Sequence, residues 1–142
     1  MAININTASR NALLDSYLAN YNNGYIVIYD GSAPADSNTA LSGQVELATI
    51  PLNATAFDAA VAGSAALNVT GGIADSAADA TGTATWCRIY DTLSNPGVDE
   101  TGATYIIQGD VSTSGAFLNL DNTAIQVGGL VTITSMTLTH PA

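Results

Sequence analysis

The apolar residues of the chain change their spacing near residue 24. Before that point they recur as one face of an α-helix does, at Leu13, Leu14, Tyr17, Leu18 and Tyr21. The sequence therefore predicts one α-helix over about residues 8–20, with Thr7 or Ser9 as its N-cap and the Asn-Asn-Gly sequence at 22–24 as its stop. Residues 2–6 alternate apolar and polar, as a short strand or an extended arm does. The apolar stripe of the helix has to lie on the sheet or on a neighbouring subunit.

From residue 25 onward the pattern is that of short β-strands separated by turns. Three runs of β-branched and aromatic residues, at 25–30, 85–91 and 104–110, each end on an acid. We predict that they are central strands of one sheet. Turn residues divide the rest of the chain into about eight to ten short strands in all. The predicted fold class is all-β, an antiparallel β-sandwich or jelly-roll-like arrangement with one N-terminal α-helix.

The end of the chain carries a hairpin pattern and a change of phase. Residues 124–127 and 130–133 are joined by Gly128-Gly129, a two-residue loop that suits a primed β-turn. In the last strand the apolar positions before and after Thr134-Ser135 are in opposite phase. A β-bulge at that polar pair is predicted to return all of them to the core.

The two strands that end in Ile-Tyr-Asp each have an apolar face and an aromatic face. Ile26 and Ile28 share the apolar face with Cys87 and Ile89, as small core residues do. Two interpretations of the aromatic face remain open: a second packed layer, under the helix or otherwise, with Arg88 stacked on an aromatic ring or paired with an acid, or an interface with a subunit or partner. The aromatic face consists of Tyr25, Val27, Tyr29, Trp86, Arg88 and Tyr90.

The candidate interface residues combine the N-terminal arm, the helix and the aromatic face. Trp, Tyr and Arg are the usual anchors of protein interfaces, and an arm reaches a neighbour readily. The candidate set is Ile3, Ile5, Arg10, Leu14, Tyr17, Tyr29, Trp86, Arg88 and Tyr90.

Composition and charge narrow the class of protein. The 142 residues are 47% hydrophobic, which indicates one folded domain over 1–142, with an arm and helix over 1–22 and the β-sandwich over 25–140. There is no Lys, and two Arg face twelve acids, for a formal charge of −10. Such a chain is not expected to bind nucleic acid or an anionic membrane. No signal peptide or membrane span is predicted, so we expect the protein to be made in a cytoplasm.

Residues with catalytic or metal-binding chemistry are few. The single His, His140, lies next to Pro141 near the end and is predicted to belong to a frayed terminus, so no Ser-His or Cys-His system and no zinc ligand set is expected. Cys87 is predicted to be a core residue. We predict no enzyme, no cofactor and no metal site. The acids with loop positions fit turn capping better than calcium binding, since no EF-hand spacing is present; they are Asp75, Asp79, Asp91, Asp99, Glu100 and Asp110.

Several segments resemble a family of small virion structural proteins of tailed bacteriophages. They are IYDGSAPA (28–35), TALS (39–42), LATI (47–50), DATGTATW (79–86), RIYD (88–91), VTITS (131–135) and TLT (137–139). The resemblance implies an all-β head decoration (cement) protein that clamps the major capsid protein. It also implies a homo-oligomer, a trimer by preference, on the outer capsid surface of a virion built in a bacterial host cytoplasm. The segment 92–104 is longer than the resemblance leads us to expect.

Two other classes of protein fit the same sequence. One is another virion component, a tail, neck or fibre-base protein. The other is a carbohydrate-binding β-sandwich that uses Trp86, Tyr90 or Tyr29 as a platform on which a sugar ring stacks.

Overall fold

The structure is a computed structural model that describes residues 3–94 and 102–140. The first two residues of the predicted arm, the middle of the segment 92–104, the acids Asp99 and Glu100, and residues 141–142 lie outside these ranges. The described chain is mostly β-sheet with one N-terminal helix. In chain order its elements are α1 (Thr7–Leu18), a 3-10 turn (Ala19–Tyr21), β1 (Tyr25–Asp30), β2 (Val45–Pro51), β3 (Ser64–Ala66), β4 (Ala74–Asp75), β5 (Gly82–Thr83), β6 (Trp86–Tyr90), β7 (Ile106–Ser112), β8 (Leu118–Leu120), β9 (Ala124–Ile125) and β10 (Val131–Thr139).

Helix α1 forms where the apolar spacing predicts it, but its cap is a different residue. The side-chain oxygen of Asn6 accepts a hydrogen bond from the backbone N–H of Ser9 at 2.9 Å, so Asn6 is the N-cap and neither Thr7 nor Ser9 is. At the other end Asn23 adopts a left-handed conformation (φ 57°), as the predicted stop requires. Leu14 and Leu18 face the sheet and are buried.

The main sheet is mixed. Its strand order is β2-β1-β6-β7-β8-β10-β3, with β4 also paired to β10, and β5 and β9 form a separate two-stranded sheet. Strands β1, β6 and β7 are neighbours inside this order, which confirms the prediction that the three acid-terminated runs are central strands. The expectation of a wholly antiparallel sheet is wrong at one pair, because β7 and β8 are parallel.

A tight fold-back of residues 113–117 makes the parallel pair of β7 and β8. The ring of Phe117 lies directly against Gly109 in β7, where any Cβ would overlap it. The carboxylate of Asp110 accepts a hydrogen bond from the backbone N–H of Phe117 at 2.9 Å. A glycine in the strand therefore provides the space that this unusually short connection needs.

The predicted C-terminal hairpin does not form. Gly128 does turn the chain, with φ 77° and a hydrogen bond from Gly129 N–H to the Gln126 carbonyl at 2.8 Å. The turn, however, pairs with Ala78, whose carbonyl accepts from Gly128 N–H at 2.7 Å. Strand β9 then pairs with β5, and β10 pairs with β3, β4 and β8. Partners distant in sequence override the local hairpin pattern.

The predicted β-bulge in the last strand is confirmed. The register of β10 against β8 shifts between Ile133 and Ser135. Val131, Ile133 and Met136 are all buried, and Leu138 packs against the same core from a partly buried position. One extra residue thus restores the alternation of apolar side chains toward the core.

Two separate hydrophobic clusters hold the fold together. The larger one fills the space between α1 and one face of the main sheet and continues through β2, β8 and β10. The smaller one lies on the opposite face of β1 and β6 and is made of Val27, Tyr29, Trp86, Tyr90 and Leu93. We call these the apolar core and the aromatic layer.

Candidate functional site

The aromatic layer forms because β1 and β6 pair antiparallel in a fixed register. Ile26 lies opposite Ile89 and Ile28 opposite Cys87, whereas Tyr29 lies opposite Trp86 on the other face. Cross-strand partners share a face of the sheet, so the two faces predicted from the sequence are the two faces observed. The thiol of Cys87 is fully buried in the apolar core, which raises its pKa and keeps it protonated.

Within the aromatic layer the rings are stacked and hydrogen-bonded to each other. The rings of Tyr29 and Trp86 are parallel within 13°, with centroids 4.2 Å apart. The hydroxyls of Tyr29 and Tyr90 are 3.1 Å apart and share a hydrogen bond. Burial raises the pKa of Tyr90 to about 12, so its hydroxyl stays protonated at physiological pH. The layer is a packed structural unit rather than an open groove.

Residues 31–44, which we call the strap, cross the outer side of the aromatic layer and are held there by Arg88. One terminal nitrogen of Arg88 donates to the carbonyls of Asp36 (3.1 Å) and Thr39 (2.7 Å), and its Nε donates to the side chain of Gln108 (3.0 Å). Gln108 in turn donates to the Pro34 carbonyl at 2.9 Å. The guanidinium also lies 5.7 Å from the Trp86 ring centroid. Arg88 therefore fastens a polar strap over an aromatic layer.

These contacts decide between the two interpretations of the aromatic face. Tyr29, Trp86, Arg88 and Tyr90 are each at most 3% exposed, and Leu14 is 4% exposed in the apolar core. In the single chain the aromatic face is a second packed layer, as one of the two interpretations predicted. The part of these five residues in an interface stays a prediction. The cover is the strap rather than the helix. The sequence did not reveal this because the strap binds Arg88 through backbone carbonyls, which any residue carries.

Burial of the three rings counts against the predicted sugar platform. Trp86 is 2% exposed, and Tyr29 and Tyr90 are each 1% exposed. A sugar ring stacks on an aromatic face that solvent can reach, and these rings have none.

The candidate residues that remain at the surface lie on the arm and the helix. Ile3 is 95% exposed, Tyr17 is 39% exposed, and Ile5 is partly buried. Arg10 is also partly buried against Gly63, with a long hydrogen bond of 3.4 Å to Thr7. The Nε of Arg10 is buried and has no hydrogen-bond partner among the described residues.

His140, beside this arginine, is not frayed as predicted. Its backbone N–H donates to the Gly63 carbonyl at 2.8 Å, so the end of β10 is fastened to the turn before β3. The same turn is held from α1, where Asn11 accepts from Gly63 N–H at 2.8 Å.

Two exposed apolar residues beside Tyr17 were not in the predicted set. Leu13 is 53% exposed one turn before Tyr17 on α1, and Tyr105 is 41% exposed just before β7. The rings of Tyr17 and Tyr105 meet edge to face, with centroids 6.4 Å apart at 87°. We call Leu13, Tyr17 and Tyr105 the tyrosine surface. Five apolar residues are more than one buried face of a short helix can hold, so the outermost of them are expected to face solvent. Nothing in the sequence indicates that Tyr105 lies beside them.

Three of the six loop acids, Asp75, Asp91 and Asp110, accept hydrogen bonds from backbone N–H groups, as the predicted turn capping requires. Asp75 accepts from the N–H groups of Thr49 and Ala77, and Asp91 accepts from those of Thr104 and Tyr105. In the ranges 3–94 and 102–140 no group of three or more His, Cys, Asp or Glu side chains is arranged to hold a metal ion. Burial, with the charges of Asp79 and Asp75, raises the pKa of Glu46, although a hydrogen bond from Thr49 opposes it.

An open cleft of about 470 Å³ lies at the base of the strap. Its lining includes Asp30, Ser42 and Gln44. The carboxylate of Asp30 already accepts from the N–H groups of Gly31 and Thr83, and the side chain of Gln44 accepts from Ser42. These polar groups form hydrogen bonds within the chain and hold the strap in place, so we assign the cleft a structural role rather than a binding role.

Among the described residues, no helix combines the length and the hydrophobicity needed to cross a membrane. Comparison of the chain with models of known families, with characterised proteins and with solved structures found no match.

Proposed function

We propose that this protein is a structural component of a tailed-phage virion, a decoration protein that binds the outside of the major capsid shell and clamps neighbouring subunits without catalysis. The resemblance of its sequence segments to small virion proteins supports this proposal. A β-rich body with two packed hydrophobic clusters suits a protein whose task is mechanical. We also propose that the main sheet folds back on itself as a sandwich does, since the backbone N–H of Thr49 in β2 donates to Asp75 in β4 although these strands lie far apart in the strand order.

The observation that carries the proposal is the exposure of the N-terminal arm. Ile3 is 95% exposed in front of α1, in a sequence that alternates isoleucine and asparagine. Both faces of β1 and β6 are covered by the chain itself, whereas Ile3 is the most exposed of the large apolar side chains that the structure describes. A partner's surface that covers Ile3 would bury apolar area at little cost in desolvated charge.

The charge distribution supports an outer rather than an inner location on the shell. The formal charge is −10, and one of the two arginines, Arg88, is buried under the strap. A protein with this charge is repelled by packaged DNA. We accordingly propose the major capsid protein and further copies of this chain, a trimer by preference, as partners, with no nucleic acid or membrane among them.

The test is binding to phage shells that lack the protein. We expect purified protein to bind such shells and to raise the temperature at which they burst. The variant Ile3→Asp should bind at least about tenfold more weakly, because a carboxylate has to be desolvated in the contact. Val127→Asp, at a 64% exposed position of the body, is the matched control and should bind as the wild type does.

Two results would overturn the proposal. One is density for the protein only at the tail in a virion reconstruction. The other is equal heat stability of shells with and without the protein. Sedimentation of the free protein tests the oligomer separately, and a monomer at all concentrations would contradict the trimer.

A further inference from the structure

The tyrosine surface is an ordered aromatic corner rather than a set of loose side chains. The hydroxyl of Tyr17 is 2.8 Å from that of Tyr21, and their rings meet at 78° with centroids 5.6 Å apart. Tyr21 is fully buried, and burial raises its pKa, so this hydrogen bond persists at physiological pH. The buried Tyr21 therefore holds Tyr17 in place, while more than a third of the surface of Tyr17 faces solvent. Rigid aromatic side chains lose little entropy on binding, which makes them good anchors.

A carboxylate lies at the same corner. Oδ1 of Asp91 accepts hydrogen bonds from the backbone N–H groups of Thr104 (2.9 Å) and Tyr105 (3.1 Å). Asp91 is also close enough to Tyr21 to act on its ionisation, as Tyr105 and Tyr17 are. The corner thus combines two partly exposed tyrosine rings, whose faces are electron-rich, with one carboxylate.

The charge of the whole chain indicates what such a corner binds. A surface with twelve acids and two arginines attracts cations and repels anions. Arginine and lysine bind over aromatic faces, and more strongly when a carboxylate lies nearby. A second copy of this chain has little to offer, because it contains no lysine, its Arg88 is 3% exposed, and its Arg10 is partly buried against its own Gly63.

We propose that the tyrosine surface is a docking site for a cationic, arginine- or lysine-bearing segment of a partner protein, with the charged group over Tyr17 and Tyr105 beside Asp91 and the stem of that side chain against Leu13. The identity of the partner as the major capsid protein rests on the function proposed above. The proposed binding of a cationic group does not rest on that function, since it follows from the side chains of the corner alone.

The test is a titration of the whole protein with N-acetylarginine amide, followed by the NMR signals of the tyrosine rings. N-acetylcitrulline amide is the matched probe, because it has nearly the same shape without the charge. We expect the arginine probe to shift the Tyr17 and Tyr105 signals in a saturable way that weakens with salt. The citrulline probe should need about a tenfold higher concentration for the same shift.

Three variants sharpen the titration. Tyr105→Ala should abolish the arginine response, and Asp91→Asn, whose amide oxygen still accepts the two backbone hydrogen bonds, should weaken it while leaving the citrulline response unchanged. Leu130→Ala, at a 65% exposed position outside the tyrosine surface, should respond as the wild type does. An unchanged urea midpoint in each variant shows that the fold is intact.

The outcomes separate this inference from the proposed function. Equal responses to the two probes, or shifts spread over other residues, overturn the cationic docking site. Shells that bind the wild type while the tyrosine signals ignore the arginine probe overturn the inference and leave the proposed function standing. An arginine response in a protein that fails to bind shells supports the inference and overturns the proposed function.

Discussion

The two faces of β1 and β6 are closed in different ways. On one face Ile26, Ile28 and Ile89 pack beneath α1 and against the rest of the sheet, in a cluster of apolar side chains. On the other face the aromatic layer is covered by the strap, whose only large apolar side chain is Leu41. The first face is covered through hydrophobic burial, whereas the cover of the second face is fastened mainly by polar contacts, above all those of the buried Arg88 with backbone carbonyls.

This difference shows where the strength of the fold lies. Burial of many apolar groups is cooperative, so we expect the apolar core to open only when the whole protein unfolds. We expect a strap with few apolar contacts and a small number of hydrogen bonds to open at a lower free energy. The difference also bears on the proposed function, because the aromatic layer is closed to a partner whereas the arm and the tyrosine surface are exposed.

The largest expected effect follows from truncation in the apolar core. Ile89→Ala should lower the free energy of unfolding by about 2–5 kcal/mol, because it removes a fully buried side chain and leaves a cavity. Urea denaturation measures the loss. Quenching of Trp86 fluorescence by acrylamide in the native state should stay unchanged, since the strap is intact. Val45→Ala, at a 47% exposed position in β2, is the control and should cost little.

A smaller but more local effect is expected from the strap. Arg88→Ala should cost about 2–3 kcal/mol, because the Asp36 and Thr39 carbonyls and the Gln108 side chain lose a charged donor. Unlike Ile89→Ala, it should increase acrylamide quenching of Trp86 in the native protein. Arg10→Ala removes the other arginine and should leave both measurements near the wild type. Native quenching that is unaffected by Arg88→Ala would show that the strap does not depend on this residue.

The pH dependence at the edge of the aromatic layer should be smaller still. Glu46 lies opposite Tyr29, and burial raises its folded pKa above the ordinary 4.5. Between these two pKa values the folded protein holds a proton that the unfolded chain has lost, so this residue makes stability fall as pH rises through that window. Glu46→Gln should therefore stabilise the protein at neutral pH and reduce the loss of stability as pH rises. Urea midpoints at several pH values measure it.

Asp36 in the strap serves as a control, because its effect on the pH dependence of stability has the opposite sign. Its side-chain oxygen accepts from the Thr39 hydroxyl and from the N–H groups of Asn38 and Thr39, which lowers its pKa below the ordinary 3.8. Its contribution is present above pH 3.8 and is lost as pH falls through the folded pKa. Asp36→Asn should reduce the loss of stability in acid. If Glu46→Gln and Asp36→Asn changed the slope of the urea midpoint against pH in the same direction, these assignments would be contradicted.

Features that depend on local periodicity were predictable from the sequence. The position of α1, the central place of β1, β6 and β7, the two faces of β6 and the bulge at Thr134-Ser135 all follow from spacing along the chain. Spacing alone is sufficient there because helix and strand geometry relate neighbouring residues directly.

Features that depend on distant partners were not predictable. Gly128-Gly129 makes a turn, but Ala78 supplies the hydrogen bonds that direct β9 to β5. The parallel pair of β7 and β8 depends on the contact of Phe117 with Gly109. The burial of Arg88 depends on carbonyl groups of the strap, and the tyrosine surface depends on the approach of Tyr105 to α1. No pattern in the sequence marks these residues as partners of one another.

One measurement tests the difference between the two faces most directly, because adjacent residues report on each. Trp86, the only tryptophan, lies in the aromatic layer, and Cys87, the only cysteine, lies in the apolar core. Acrylamide quenching of Trp86 and thiol labelling of Cys87 are followed together at urea concentrations below the unfolding midpoint. Opening of the strap should expose Trp86 at lower urea than Cys87. Exposure of both residues over the same urea range, or of Cys87 first, would contradict separate closure of the two faces.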